Sequence, residues 1–256
     1  MRKRCAYLAI QTRQPPMNNN TTQLKFGLGN AKLGKAIHTF TLPSGYTCPG
    51  ALACMTKADR ETGKIVDGKV QVFRCFAASS ESRFKNVRFA AWHNLELLKK
   101  NNTESLATDL IQSSLPADAK IIRIHVGGDF FSESYFRAWL NVASNNPQIR
   151  FYAYTKSLPF WIAAKSRNLI PDNFRLTASE GGKFDHLISE HGLKTSKVVF
   201  SLEEAAALGL ELDHDDSHAY DGAKSFALLV HGTQAAGSAA AIAVRTLDGV
   251  GSYGKK

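Results

Sequence analysis

Residues 120–182 read KIIRIHVGGDFFSESYFRAWLNVASNNPQIRFYAYTKSLPFWIAAKSRNLIPDNFRLTASEGG, and the alternation within this stretch decides the fold class. Three short runs rich in β-branched and aromatic residues, at 120–126, 149–154 and 173–177, each stop at a polar or glycine-containing turn. Between them, 132–144 places Tyr135, Trp139 and Val142 on one helical face, and 158–168 carries Pro159 where a first helical turn accepts it. Strands that alternate with helices predict βαβ units and a mainly parallel sheet.

The pattern extends in both directions. Downstream, the spacing predicts a short helix over 184–191, a strand over 197–200, a helix over 202–208, a strand over 225–230 ending at His231, and an alanine-rich helix over 238–246. Upstream, 38–43 alternates like a strand that Pro43 and Gly45 end, and 81–100 carries Phe84, Val87, Ala91, Leu95 and Leu98 at helical spacing. A second helix is expected at 106–115. The polar opening, broken by Pro15, Pro16 and three consecutive asparagines, reads as a flexible arm over 1–23, leaving 24–256 as a single α/β domain.

Composition narrows the function classes. No stretch of about 18 apolar residues is present and the opening lacks the apolar run of a signal peptide, so a cytoplasmic protein is expected, without a membrane partner. The 32 Lys and Arg against 22 Asp and Glu give a formal charge of +10, which favours contact with phosphate-bearing partners, a nucleotide or a nucleic acid. The basic residues are scattered, so a merely solvated basic surface stays open as a reading.

Four cysteines in a reducing compartment point to thiol chemistry rather than a disulfide framework. Cys48 and Cys54 flank a Pro/Gly-punctuated loop directly after the first strand, and Cys75 follows twenty residues later. The intervening segment reads as a hairpin, 64–66 against 69–72 around Asp67-Gly68, which would return the chain to its start. Thiolates favour zinc or an iron-sulfur cluster over hard cations, and three protein ligands leave one position open. A cluster ranks above zinc, because the spacing matches no standard zinc finger, and both rank above three incidental buried thiols. Cys5 is not expected to be a ligand.

In parallel α/β sheets ligands gather beyond the carboxyl ends of the strands. Gly127-Gly128-Asp129, Thr155 with Ser157, and Ser179 with Glu180 all fall there, with the cysteine loop. His125 reads as a core or barrel-lining residue and His231 as a candidate for the same cavity. His214 and His218 among Asp213, Asp215 and Asp216 read as a solvated acidic loop rather than a hard-metal site. Phe130, Phe131, Tyr152, Tyr154 and Trp161 are expected mostly in the core.

The stretches NAKLGKAIHTFTLPSGYTCPGALAC, FRCFAASSESR, RIHVGGDFFSESYFRAWL, FYAYTKSLPFW, LTASEGGKFDHLI and FALLVHGTQAAGS together resemble the phage and plasmid gene product 88 family, over about residues 30–238. More distantly, a cysteine cluster after a first strand and a strand ending in Gly-Gly-acid resemble the radical S-adenosylmethionine enzymes. That second resemblance implies a partial (β/α) barrel in which Cys48, Cys54 and Cys75 hold a [4Fe-4S] cluster. It places Gly127, Gly128 and Asp129 along the methionine part of S-adenosylmethionine, with Thr155, Ser157, Ser179 and Glu180 toward its carboxylate or ribose. The chain departs from that pattern in the long interval before Cys75 and in Asp129 where glutamate is usual.

The expected function is therefore a radical S-adenosylmethionine-like iron-sulfur enzyme of a mobile element, served by an electron donor and acting on a nucleotide or nucleic acid. Two alternatives stand beside it: a nucleic-acid-binding protein with a structural zinc site, and a host-interaction protein on a degenerate barrel.

Overall fold

The computed structural model describes residues 22–30 and 33–247; residues 1–21 of the expected arm, Cys5 among them, lie outside the described residues. In chain order the elements are β1 (Gly27–Asn30), β2 (Gly34–Thr39), β3 (Thr56–Ala58), β4 (Ile65–Asp67), α1 (Phe76–Arg83), α2 (Lys85–Lys100), α3 (Glu104–Ser114), β5 (Ile121–Ile124), α4 (Glu133–Asn145), β6 (Arg150–Thr155), α5 (Leu158–Lys165), β7 (Phe174–Ser179), α6 (His186–Glu190), β8 (Thr195–Val199), α7 (Leu202–Ala207), β9 (Glu211–Leu212), α8 (Ser217–Tyr220), β10 (Phe226–Leu229) and α9 (Ala239–Thr246).

Eight strands form one sheet in the order β1-β2-β5-β6-β7-β8-β10-β9. Every pairing within it is parallel except β1 with β2. The α/β class and the mainly parallel sheet are thus as the sequence predicts. Among the described residues no pairing of β1 with β9 closes the sheet into a barrel.

Period-two alternation assigns the two faces of the sheet. Ile122, Ile124, Phe151, Ala153, Phe174 and Leu176 point into the main core with Trp139 and Phe136 of α4 and with Leu95, Leu98 and Ile111 of α2 and α3. Trp139 is fully buried and meets Phe26, Phe40 and Phe151 edge-on, an arrangement that aromatic quadrupoles favour. The opposite face carries Tyr152, Tyr154, Ile37 and Phe226, covered in part by Ala219 and Tyr220 of α8. The helices start where their sequences provide caps: the side chains of Thr103, Ser132, Ser201 and Ser238 accept from amides in the first turns of α3, α4, α7 and α9.

Three expectations need correction. The helix expected over 81–100 is two helices, because Phe84 adopts extended backbone (φ −114°, ψ 106°) between α1 and α2; its ring and Val87 face solvent instead of the core. The expected hairpin pairs differently, β4 running against β3 upstream rather than against 69–72. Asp59 explains this, since its carboxylate accepts from the amides of Glu61 and Thr62 and folds the turn there, while Val70 and Val72 remain exposed. In the acidic loop, Asp213 and Asp216 are buried rather than solvated, with Asp216 paired to Arg123 at 2.7 Å and accepting from the Tyr152 hydroxyl at 3.0 Å. His218 sits between Asp213 and Glu211.

The turn after β5 tests the packing. Gly128 has φ +84°, and a Cβ there would fall 2.5 Å from Thr47 Oγ1 and 2.6 Å from Leu42 Cβ. Gly128→Ala is expected to lower unfolding free energy by about 2–4 kcal/mol, combining the conformational and steric costs. Gly192→Ala, at φ +56° with nothing within 4 Å, should lose only about 1 kcal/mol in the same urea titration.

Candidate functional site

Beyond the carboxyl ends of β2, β5, β6 and β7 the loops are tied together by hydrogen bonds that the side chains on them direct. The chain leaving β2 continues beside the chain leaving β5 through Leu42 N to Gly127 O at 2.8 Å and Val126 N to Phe40 O at 2.8 Å. The cysteine loop is held to the end of β7 by Ala53 N to Gly181 O and Lys183 N to Gly50 O, both 2.9 Å. Cys75 opens α1 at its N-terminus and is held to β3 by its amide, which donates to Thr56 Oγ1 at 3.3 Å. The end of β10 docks on the same helix: Gln234 Oε1 accepts from Arg74 N at 2.7 Å, and the His231 ring stacks on Phe76 at 3.7 Å between centroids.

These ties bring Cys48, Cys54 and Cys75 into one electrostatic neighbourhood. Burial pushes the Cys48 thiol well up, and the nearby charges of Asp129 and Cys75 add to the shift. Its sulfur accepts from the amide of Gly45 at 3.3 Å. Burial also raises Cys54, with Lys156 opposing it. Cys75 is pushed to about 11 by burial and by Cys54, against the pull of the Ala78 and Ala77 amides at the start of α1. All three are free thiols, and among the described residues no group of three or more His, Cys, Asp or Glu side chains is placed to hold a metal ion.

The remaining predicted site residues also meet, but they spend their hydrogen bonds on one another. Asp129 Oδ1 accepts from Phe130 N and Thr155 Oγ1, each at 2.7 Å, and Oδ2 accepts from Lys156 N at 2.8 Å. Thr155 Oγ1 in turn accepts from Ser157 N, and Ser157 Oγ donates to Phe130 O. Ser179 accepts the Lys156 ammonium at both its carbonyl (2.7 Å) and its hydroxyl (2.8 Å), and the Glu180 carbonyl accepts it at 2.6 Å. The Glu180 carboxylate lies 3.9 Å from Lys197. Asp129 therefore joins the ends of β5 and β6, a structural duty that leaves little capacity for a ligand's ammonium group.

Two residues that the sequence reading passed over complete the site. Lys156 is buried, and it is the cation that lowers the Cys54 thiol. Glu81, on α1, is fully buried; its Oε1 accepts from Ser44 N at 3.0 Å and Ser44 Oγ at 2.5 Å, while Oε2 has no hydrogen-bond partner. Burial raises this carboxyl to about 7, opposed by the Ser44 bonds and the nearby Arg88. A Cβ on Gly127 would stand 3.0 Å from Glu81 Oε1, Ser44 Oγ and Thr41 Oγ1, so glycine is what lets these polar side chains close on the backbone there. The sequence does carry a sign of Glu81, a lone acid in the small-residue run FAASSES six positions after Cys75.

His125 is a core residue, as expected. It has φ +65° and lies among Phe40, Phe130 and Tyr135, with Nε2 2.9 Å from the Tyr135 hydroxyl. Burial lowers it to about 3, so it is neutral. Phe130, Tyr152 and Trp161 are likewise buried, and Phe131 packs against the main core.

Such a sheet, with thiols and buried ionisable groups beyond its strand ends, defines a loop-built site on an α/β scaffold. Residues 14–247 match the family described as gene product 88, and the chain belongs to that family. It is 33% identical to the gene 88 protein of Mycobacterium phage L5 over 138 residues, covering 50% of this chain and 51% of that one. With the gene 88 protein of Mycobacterium phage D29 it shares 33% identity over 140 residues, 50% of each chain. The chain thus spans about half the length of the curated relatives it matches. No solved structure matches it, and the comparisons do not support the resemblance to radical S-adenosylmethionine enzymes.

Glu81 makes a pH-dependent contribution whose sign is fixed. Its folded pKa of about 7 lies above the ordinary 4.5, so the folded chain holds a proton that the unfolded chain loses first. Its stabilisation is complete below pH 4.5 and is lost as pH rises to about 7. By linkage the loss is about 3 kcal/mol, an order of magnitude. Glu81→Gln should flatten the thermal midpoint across that interval and raise it relative to the native chain at pH 8. Parallel midpoint curves for the two proteins would contradict the buried, protonated state.

Proposed function

We propose that this chain is an iron-sulfur enzyme in which Cys48, Cys54 and Cys75 hold a [4Fe-4S] cluster with one iron open to S-adenosylmethionine. It would work in the host cytoplasm with an electron donor, on a nucleotide or nucleic acid. The observation that supports the reading is that Cys48 and Cys54, from one loop, and Cys75, from the start of α1, share one electrostatic neighbourhood near the buried Glu81 carboxyl, whose Oε2 has no hydrogen-bond partner. The donor set fits: soft thiolates suit such a cluster, and backbone amides around the sulfurs favour their ionised form. The cluster ranks above a single zinc ion because the spacing of Cys48, Cys54 and Cys75 matches no standard zinc finger.

The chemistry supplied there, when the group is bound, is one-electron cleavage of the sulfonium carbon–sulfur bond to methionine and a 5'-deoxyadenosyl radical that takes hydrogen from the substrate. The protein's own part lies in its residues. Lys156 offsets negative charge beside Cys54. The unfilled Glu81 Oε2, close to Gly127, would accept from a ligand's ammonium group, the role that the resemblance gave to Asp129. Arg88 fixes the α1 backbone at that point, donating to the Glu81 carbonyl at 2.5 Å.

Anaerobic purification with iron and sulfide quantification tests the metal. The expected result is about four irons and four sulfides per chain, a brown protein, and 5'-deoxyadenosine on adding dithionite and S-adenosylmethionine. Alanine at Cys48, Cys54 or Cys75 should abolish the cluster, and Cys5→Ala should not. One zinc in a colourless protein would overturn the proposal in favour of a structural zinc site. An intact cluster without cofactor cleavage would leave a cluster-bearing protein that is no enzyme of this class.

A further inference from the structure

Outside the thiol site, the part of the molecule that the fold leaves least explained is the outer face of α1, α2 and the β3–β4 turn. Four aromatic rings there each carry a cation over the face. Lys57 lies 4.7 Å from the Tyr46 centroid, Arg60 5.0 Å from Trp92, Arg83 5.3 Å from Phe84 and Lys85 5.2 Å from Phe89. Arg88 approaches Phe89 from a further side at 5.7 Å. All four rings lie within residues 46–92.

Two of these rings stand out of the core, while Trp92 also packs against it. Phe84 is 49% exposed and Tyr46 42% exposed, and Phe84 is turned outward by the backbone break that separates α1 from α2. Tyr46 meets Trp92 at 4.8 Å, joining the loop before Cys48 to α2, and Arg88 of α2 ties this face to the β3–β4 turn and to α1 by donating to the carbonyls of Arg60 and Glu81. Lys64 and Lys69 are exposed on the adjoining turn and strand end. Arg60 is partly neutralised by Glu96 and Glu61, whereas Lys57, Arg83 and Lys85 form no ion pair among the described residues.

We propose that this ridge binds single-stranded nucleic acid, with unpaired bases stacking on Phe84 and Tyr46 and phosphates held by Lys57, Arg83 and Lys85. A flat apolar ring and a cation at each step match a polymer that alternates base and phosphate, and a duplex would keep its bases out of reach. The excess of basic residues over the whole chain, +10, supplies the long-range attraction. Tyr46 lies two positions before Cys48, and Phe84 three after Glu81, so a strand on the ridge runs to the edge of the thiol site. The inference deepens the substrate class proposed above but does not rest on the cluster, since binding is read on the metal-free chain.

Fluorescence anisotropy of labelled oligothymidine, oligouridine and a duplex of the same length, on the full chain at two or more salt concentrations, tests it. The single strands should bind more tightly than the duplex. Phe84→Ala should weaken them by about 5- to 100-fold, one stacked base, with the salt slope kept. Arg83→Glu with Lys85→Glu should reduce the slope of log affinity against log salt by about 1.4, two phosphate contacts on a single strand. The oligothymidine and oligouridine arms separate DNA from RNA, and either one binding in this way supports the ridge. Leu106→Ala, an exposed apolar position on α3, is the control and should change nothing. Duplex binding as tight as single-strand binding, full competition by heparin together with an unaffected Phe84→Ala, or no binding to any oligonucleotide would overturn the proposal. Binding that persists in Cys48→Ala, with no iron present, supports the ridge whatever the fate of the cluster.

Discussion

The buried carboxylate of Asp129 holds the functional end of the molecule together. It accepts three hydrogen bonds, from its own loop and from the end of the neighbouring strand β6. Lys156, whose amide is one of those donors, sends its ammonium across to the end of β7. One polar chain therefore crosses three strand ends in a region shielded from water, where each bond to a charged group is worth about 1.5–3 kcal/mol and an unmade one costs at least as much. The parallel sheet orients the strands, but this network sets how far apart their loops stand. The cysteine loop then docks on the β7 end so defined, through Ala53 and Gly181 and through Gly50 and Lys183.

How far the sequence revealed this depends on which physical quantity each residue reports. Runs such as IIRIHV and FYAY announce strands because apolar residues on alternate positions need a sheet with a covered face, and Ser132 and Thr103 announce helix starts because their hydroxyls satisfy first-turn amides. The helical spacing through Phe84 misled because periodicity is blind to the backbone torsion that splits α1 from α2 and turns the ring outward. The pairing of β4 was equally hidden. Lys69 to Val72 has the composition of a strand, and the competing signal was the turn chemistry of Asp59, whose carboxylate accepts from the amides of Glu61 and Thr62 and from the Thr62 hydroxyl and fixes the chain direction earlier. Strand ends could be read as the place of the site, but not the direction of each hydrogen bond, so Asp129 and Ser179 were in the right place with a different duty. Glu81 and Lys156 stayed unread because burial, not residue type, is what makes them notable.

The same burial governs the thiols. Around them stand two carboxyls, Asp129 and Glu81, and two permanent or near-permanent cations, Lys156 and Arg88. Ionising three thiols there would gather more negative charge than the two cations offset in a region of low dielectric, and burial opposes it, with Cys75 raised to about 11. A polycation reverses the balance: it removes the thiol protons as it binds and repays the desolvation that raised them. In the function proposed above the bound group would bring that charge, and the amides of Gly45, Ala77 and Ala78 already favour the ionised form of Cys48 and Cys75 against the burial that raises them. Glu81 follows the same logic one step out. Its second oxygen has no hydrogen-bond partner among the described residues, and the function proposed above assigns that oxygen to a ligand's ammonium group.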